Sequence, residues 1–222
     1  MRRYYTRVCN FYYGKESEVL VNKNKTIPLN GNKKISFDHI EIISRNSKKI
    51  IHINKVSSLS KQFKKQTISD LKKIRLKKKN FANLNFLKIP NIMGVLNLTP
   101  DSFSDGGKFN KDKKGLKHAL NIFELGANII DVGGESTRPG SKSIDQKLEW
   151  HRIEKFIKSA NKKIPISLDT RKSEIMKKGI KYGVKIINDV SGLNYDPKTI
   201  NVLRKYNTPF VLQHSRGTPE NM

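Results

Sequence analysis

The chain has 222 residues, 36% hydrophobic and 29% charged, with a formal net charge of +26. That length suits one domain with a sizeable core, or one domain plus a small appendage, and the ordered apolar runs exclude wholesale disorder. One cysteine, Cys9, excludes an intrachain disulfide and a thiolate metal cluster. No stretch approaches the ~18 apolar residues of a membrane span, and the basic, aromatic N-terminus lacks the apolar core of a signal peptide. A soluble, cytoplasmic protein with no membrane partner is expected. The charge is uneven: residues 1 to 90 carry 22 Lys/Arg against 5 Asp/Glu, so +17 of the excess lies there. The basic residues are mostly Lys amid many Asn and Ile, which reads as compositional bias, and no nucleic-acid partner is expected.

In chain order, residues 1–88 form a basic N-terminal extension of irregular pattern. Ile-rich runs over residues 35–43 and 50–56, separated by a polar stretch, predict a hairpin. Phe63, Leu71 and Ile74 recur among lysines between residues 59 and 84, which predicts a basic, solvated surface helix. From residue 89 the character changes. Apolar runs predict strands over 89–96, 128–132, 164–169, 184–188 and 209–213, with helical patterns over 112–125, 144–161, 173–182 and 197–206 between them. In the second of these helices Leu148, Ile153, Phe156, Ile157 and Ala160 form the predicted buried stripe.

Alternating strands and helices with near-continuous apolar strands predict a parallel α/β sheet. Two architectures compete, a (β/α)8 TIM-type barrel and an open doubly wound sheet. Polar residues fall at the C-terminal end of five successive strands, whereas a doubly wound sheet gathers them beside one switch point. The barrel is therefore expected, incomplete at about five βα units, because eight strands need ~250 residues. An isolated five-strand piece would leave two parallel edges and apolar interior surface exposed.

The strand-end residues carry the candidate chemistry. Asn97 offers a neutral oxygen and Asp101 and Asp105 charged ones, a set suited to a Mg²⁺ that keeps most of its waters; the same loop also reads as an Asx- and Ser-rich turn. The loop from Gly133 to Ser141 combines glycines, Ser136, Thr137 and Arg138, which reads as an anion loop, though it is neither a P-loop nor a dinucleotide fingerprint. Asp169 and Asn188 at neighbouring strand ends suit the polar edge of a flat heterocycle with amino and ring N–H donors; alternatively they are a helix cap and a turn residue. His214 either meets an anion or satisfies a strand end.

The segments IMGVLNLTPDSFSDGGKF, GANIIDVGGESTRPGS, ISLDTRKSEI, IINDVSGL and LQHSRG, in this order and spacing, resemble the first five strand-end motifs of the dihydropteroate synthases, pterin-binding enzymes of folate biosynthesis. The resemblance runs from about residue 89 to the last residue. It implies a transferase that joins 6-hydroxymethyl-7,8-dihydropterin diphosphate to para-aminobenzoate, releasing pyrophosphate and giving 7,8-dihydropteroate. By the same resemblance Asn97 is a Mg²⁺ ligand, Asp101 is catalytic, and Ser102 and Phe103 belong to the first loop. Arg138, near the diphosphate, is both catalytic and substrate-binding, Asp169 and Asn188 read the pterin, and Ser102, Phe103, Thr137 and His214 complete the substrate-binding set. It further implies a homodimer at full length, and the family's later glycine-rich, lysine and RxH motifs have no counterpart in these 222 residues. The 222-residue chain alone is therefore expected not to turn over. A methyltransferase-type pterin barrel and a non-catalytic RNA- or membrane-surface binder are the competing readings.

Overall fold

The computed structural model describes residues 4–82, 84–85, 87–88, 90–99, 114–138, 140–160 and 162–214. The chain divides into two compact units, one comprising Met1–Asn80 with Asn85–Ile89 and the other Phe81–Leu84 with Pro90–Met222.

The first unit contains β1 (Tyr4–Tyr13), α1 (Gly14–Asn22), β2 (Ile27–Leu29), β3 (Asn32–Ser44), β4 (Lys48–His52), a 3-10 turn (Ile53–Ser58) and α2 (Lys61–Arg75). The long strand β3 organises it, pairing antiparallel with β1, β2 and β4. The expected hairpin is β3 and β4, with Ile40 opposite Ile51, but β4 ends at His52 because the following residues coil into the 3-10 turn. The extension is thus more ordered than its pattern suggests. Tyr4, Thr6 and Val8 turn inward while Tyr5 and Arg7 face water, a period-2 alternation that marks β1. A core of Phe37, Ile40, Ile42, Ile51, Val56 and Leu71 lies between sheet and α2. Ser17 of α1, fully buried, donates to the Lys33 carbonyl at 2.7 Å and pins that helix to β3.

The second unit alternates strand and helix throughout: β5 (Met93–Asn97), α3 (Lys114–Glu124), β6 (Ile129–Gly133), α4 (Gln146–Ala160), β7 (Ile166–Asp169), α5 (Ser173–Lys181), β8 (Ile186–Asp189), α6 (Thr199–Tyr206) and β9 (Phe210–Leu212). All four strand pairs are parallel and the order is consecutive, β5-β6-β7-β8-β9. An order that never reverses has no switch point, which decides for the barrel over the doubly wound sheet. The first strand begins at Met93 rather than at residue 89, since Pro90 has no ladder donor to give.

One face of this sheet builds the core. Leu96, Ile130, Val132, Ile166, Leu168 and Ile187 meet Trp150, Ile153, Phe156, Ile157, Ile175, Met176 and Leu203 from the helices. Leu148, expected on the buried stripe, is 44% exposed and Trp150 takes its place. At 100° per residue Leu148 stands about 140° around the helix from Ile153, whereas Trp150, Ile153, Ile157 and Ala160 succeed one another at spacings of three and four. The sheet edges lie open: Met93 and Val95 on β5 and Phe210, Val211 and Leu212 on β9 are 38 to 64% exposed.

Replacing the fully buried Ile153 by Ala removes atoms from the centre of this core, where incomplete collapse adds a cavity cost. A loss of about 2–5 kcal/mol is expected in urea unfolding followed by tryptophan fluorescence.

Candidate functional site

Parallel register places the chemically capable residues in a single row. Asn97 pairs with Gly133, Gly133 with Asp169, Asp169 with Asn188, and Asn188 with Val211. Period-2 alternation turns these side chains away from the helix-covered face, so the core and the candidate site occupy opposite sides of the same strands. Gly133 makes room for the row. A Cβ there would lie 3.4 Å from Asp169 Oδ2 and 3.5 Å from Asn97 Oδ1, so a neutral and an acidic oxygen flank a position without a side chain. Gly134 has a different purpose: its Cβ would come within 2.9 Å of the Glu149 carbonyl, and its absence lets α4 approach.

Two residues before Gly133 on β6, Asp131 sits on the same face at 6% exposure. Asn188 Nδ2 donates to Asp131 Oδ2 at 2.9 Å, which turns the amide so that its oxygen is left as an acceptor. Asp131 Oδ1 and Asp169 Oδ1 are buried with no hydrogen-bond partner among the described residues. Burial pushes the Asp169 carboxyl up to about 8, helped by the carboxylates of Asp131, Glu149, Asp189 and Glu135. Burial also raises Asp131, against the hydrogen bond from Asn188. The Asp169 carboxyl, the Asn188 amide and the gap at Gly133 together suit a ligand edge rich in N–H donors.

The loop that follows β6 is fastened by one carboxylate. Glu135 Oε1 accepts from the Ile144 amide at 2.9 Å and the Ser143 hydroxyl at 3.3 Å, closing residues 135–144 into a ring that carries Thr137 and Arg138, both half-buried. Its charge is met by Arg171 Nε at 2.9 Å and Lys172 Nζ at 2.8 Å. Lys172 Nζ also reaches Glu149 Oε2 at 2.6 Å, and Thr170 Oγ1 donates to Glu149 Oε1 at 2.5 Å. Arg171 stacks 4.0 Å from the Tyr195 ring, whose hydroxyl lies 3.0 Å from Ser143 Oγ. Two acids and two bases, all at most 8% exposed, therefore tie the loops after β6, β7 and β8 to the start of α4. Burial raises Glu135, but the bonds from Arg171, Lys172 and the Ile144 amide outweigh it and its pKa falls below the ordinary glutamate value. For Glu149 burial prevails over Lys172 and Thr170, and its pKa rises.

Of the residues expected from sequence, Asn97, Asp169 and Asn188 share the row, and Thr137 and Arg138 share the fastened loop. His214 lies exposed, two residues beyond β9. Asp101, Ser102 and Phe103 lie outside the described residues. Sequence reasoning passed over Asp131, Glu135, Glu149, Arg171 and Lys172. The available signals were a lone acid between Ile130 and Val132, and a glutamate beside Trp150 on the inward stripe of a helix.

Replacing Lys172 by Met leaves Glu149 and Glu135 short of a cation in a buried setting, and about 3–5 kcal/mol of stability should be lost in urea unfolding. The pH dependence has a definite sign. An acid whose pKa is raised on folding stabilises below its unfolded value and loses that contribution as pH rises through the folded value. Stability should therefore fall as pH climbs from about 4 toward about 8, and Asp169→Asn should flatten that slope in thermal melts. An unchanged slope would remove Asp169 as its source.

Residues 93–222 match the family model described as pterin binding enzyme. A dihydropteroate synthase of Bacillus subtilis is 46% identical over 127 residues, covering 56% of this chain and 45% of its own length. Among solved structures, a dihydropteroate synthase from Clostridium difficile, obtained in the presence of pteroic acid, is 40% identical with a TM-score of 0.55, covering 63% of this chain and 52% of its own. One from Xanthomonas albilineans with 4-aminobenzoic acid is 38% identical with a TM-score of 0.53, covering 58% and 47%. The chain spans about half the length of the curated relatives it matches.

Proposed function

This chain belongs to the pterin-binding enzyme family, and we propose that it is a dihydropteroate synthase, joining 6-hydroxymethyl-7,8-dihydropterin diphosphate to para-aminobenzoate. The observation that carries this reading is the row of Asn97, Asp169 and Asn188, with Asp131 beneath it and Thr137 and Arg138 on a fastened loop alongside. The relatives support it by name, and two solved relatives were obtained with pteroic acid and with 4-aminobenzoic acid.

In this reading the amino and ring N–H groups of the pterin donate to Asp169, and the Asn188 oxygen, turned outward by Asp131, accepts from the same edge. Arg138 presents a planar fork to the diphosphate, with the Thr137 hydroxyl beside it. The bond from the methylene carbon to the diphosphate oxygen breaks and its electron pair leaves with the diphosphate. The aniline nitrogen forms the new bond and gives up a proton. No protein nucleophile is needed, so the protein's contribution is orientation and stabilisation of the departing anion. Asp101, Ser102 and Phe103 are assigned to organising the first loop, and His214 to a substrate contact.

A divalent cation fits the open end of the row. Asn97 supplies a neutral oxygen there, and among the described residues no group of three His, Cys, Asp or Glu side chains is gathered around a metal. Asn97 would be the residue to hold such an ion, and a neutral oxygen suits a hard cation such as Mg²⁺. Bound in this way the ion supplies charge stabilisation to the leaving group. The described residues contain no helix long and apolar enough to cross a membrane; a cytoplasmic homodimer is proposed as the full-length form.

Calorimetry with the diphosphate ester and the parent alcohol separates the two halves of this site. Arg138→Ala should weaken the ester about 10-fold or more, the value of a charge-assisted bond, while leaving the alcohol unchanged. Asp169→Asn should weaken both ligands. Equal affinity of wild type and Arg138→Ala for the ester would remove Arg138 from the anion site.

A further inference from the structure

The first unit holds a cleft of its own, of about 290 Å³, close to the lower end of small-molecule pockets at ~300 Å³. Its wall is apolar where Ile27 and Pro28 of β2 face Ile53 of the 3-10 turn, all half-buried. Its polar lining comprises Asn24, Thr26, Asn54 and Arg75. Thr26 lines the cleft at 6% exposure, and its Oγ1 is buried without a hydrogen-bond partner. Arg75, the last residue of α2, stands at the exposed rim, and among the described residues its guanidinium makes no ion pair or hydrogen bond. No carboxylate lines the cleft, and the nearest acid on α2, Asp70, already accepts from Gln66 at 2.8 Å.

An unpaired guanidinium and an apolar wall, set in a segment of strongly positive charge, make a consistent recognition pattern. The guanidinium fork matches a planar or tetrahedral oxyanion. We propose that this cleft is a binding site for a small organic anion, with its carboxylate or phosphate head on Arg75 and a compact apolar body against Ile27, Pro28 and Ile53. The site is independent of the pterin reading, because every residue in it belongs to the first unit.

The test is methyl NMR titration of the full 222-residue chain with benzoate, phenyl phosphate, inorganic phosphate and benzyl alcohol. Saturable shifts of the Ile27 and Ile53 methyls are expected for benzoate or phenyl phosphate with a dissociation constant of about 0.1–1 mM. The better of the two identifies the head group. Inorganic phosphate lacks the apolar body and benzyl alcohol the charge, so each should bind about 10-fold more weakly or worse. Arg75→Gln, a surface change that leaves the fold intact, should lower affinity by a similar factor. Absence of saturable shifts for either organic anion, equal binding of benzyl alcohol, or unchanged affinity in Arg75→Gln would overturn the proposal.

Discussion

The second unit depends on a constraint of electrostatics: four ionised side chains lie out of water, and each must be paired. Glu135, Glu149, Arg171 and Lys172 satisfy one another in a neutral cluster at 2.6 to 2.9 Å. Breaking one partner leaves an uncompensated buried charge, so the cluster holds as a whole or not at all. Its members come from two loops and a helix that are distant in sequence. Satisfying it therefore fixes where those loops stand relative to the strand ends, and the loop bearing Thr137 and Arg138 is held at both ends by the same carboxylate.

That constraint explains the division of labour across the sheet. The face toward the helices is built mainly from apolar side chains, and its stability comes largely from their burial. The opposite face, at the strand ends, carries acids kept neutral or strained by burial, with Asp169 pushed to about 8. Such unsatisfied groups destabilise a free protein and favour a ligand able to satisfy them, which is the usual compromise of a binding site. The cluster contributes the rigidity that keeps the acids in place in spite of their mutual repulsion.

Much of this was legible in the sequence. Apolar runs closed by Asn97, Asp169 and Asn188 announced both the strands and the positions of their ends, because burial on both sides of a parallel sheet suppresses polar residues until the strand stops. Parallel register then aligned them without further information. Other features could not be read locally. Glu149 resembles any surface glutamate until its partner Lys172, 23 residues later, is seen beside it. Leu148 was misplaced by a stripe drawn too loosely, since two positions shift a helix by about 200°. In the first unit β1 escaped notice because its outward positions are charged or aromatic and its partner β3 lies some thirty residues away, so only pairing revealed it.

The central claim is that these strand ends form one side of a pterin and diphosphate site. It is tested most directly by fusing residues 93–222 to the later half of the Bacillus subtilis relative and assaying dihydropteroate formation, with the intact relative as control. The account predicts turnover by the fusion that is lost in its Asp169→Asn and Arg138→Ala variants. A folded fusion that makes no product, or one equally active when both residues are replaced, would contradict it.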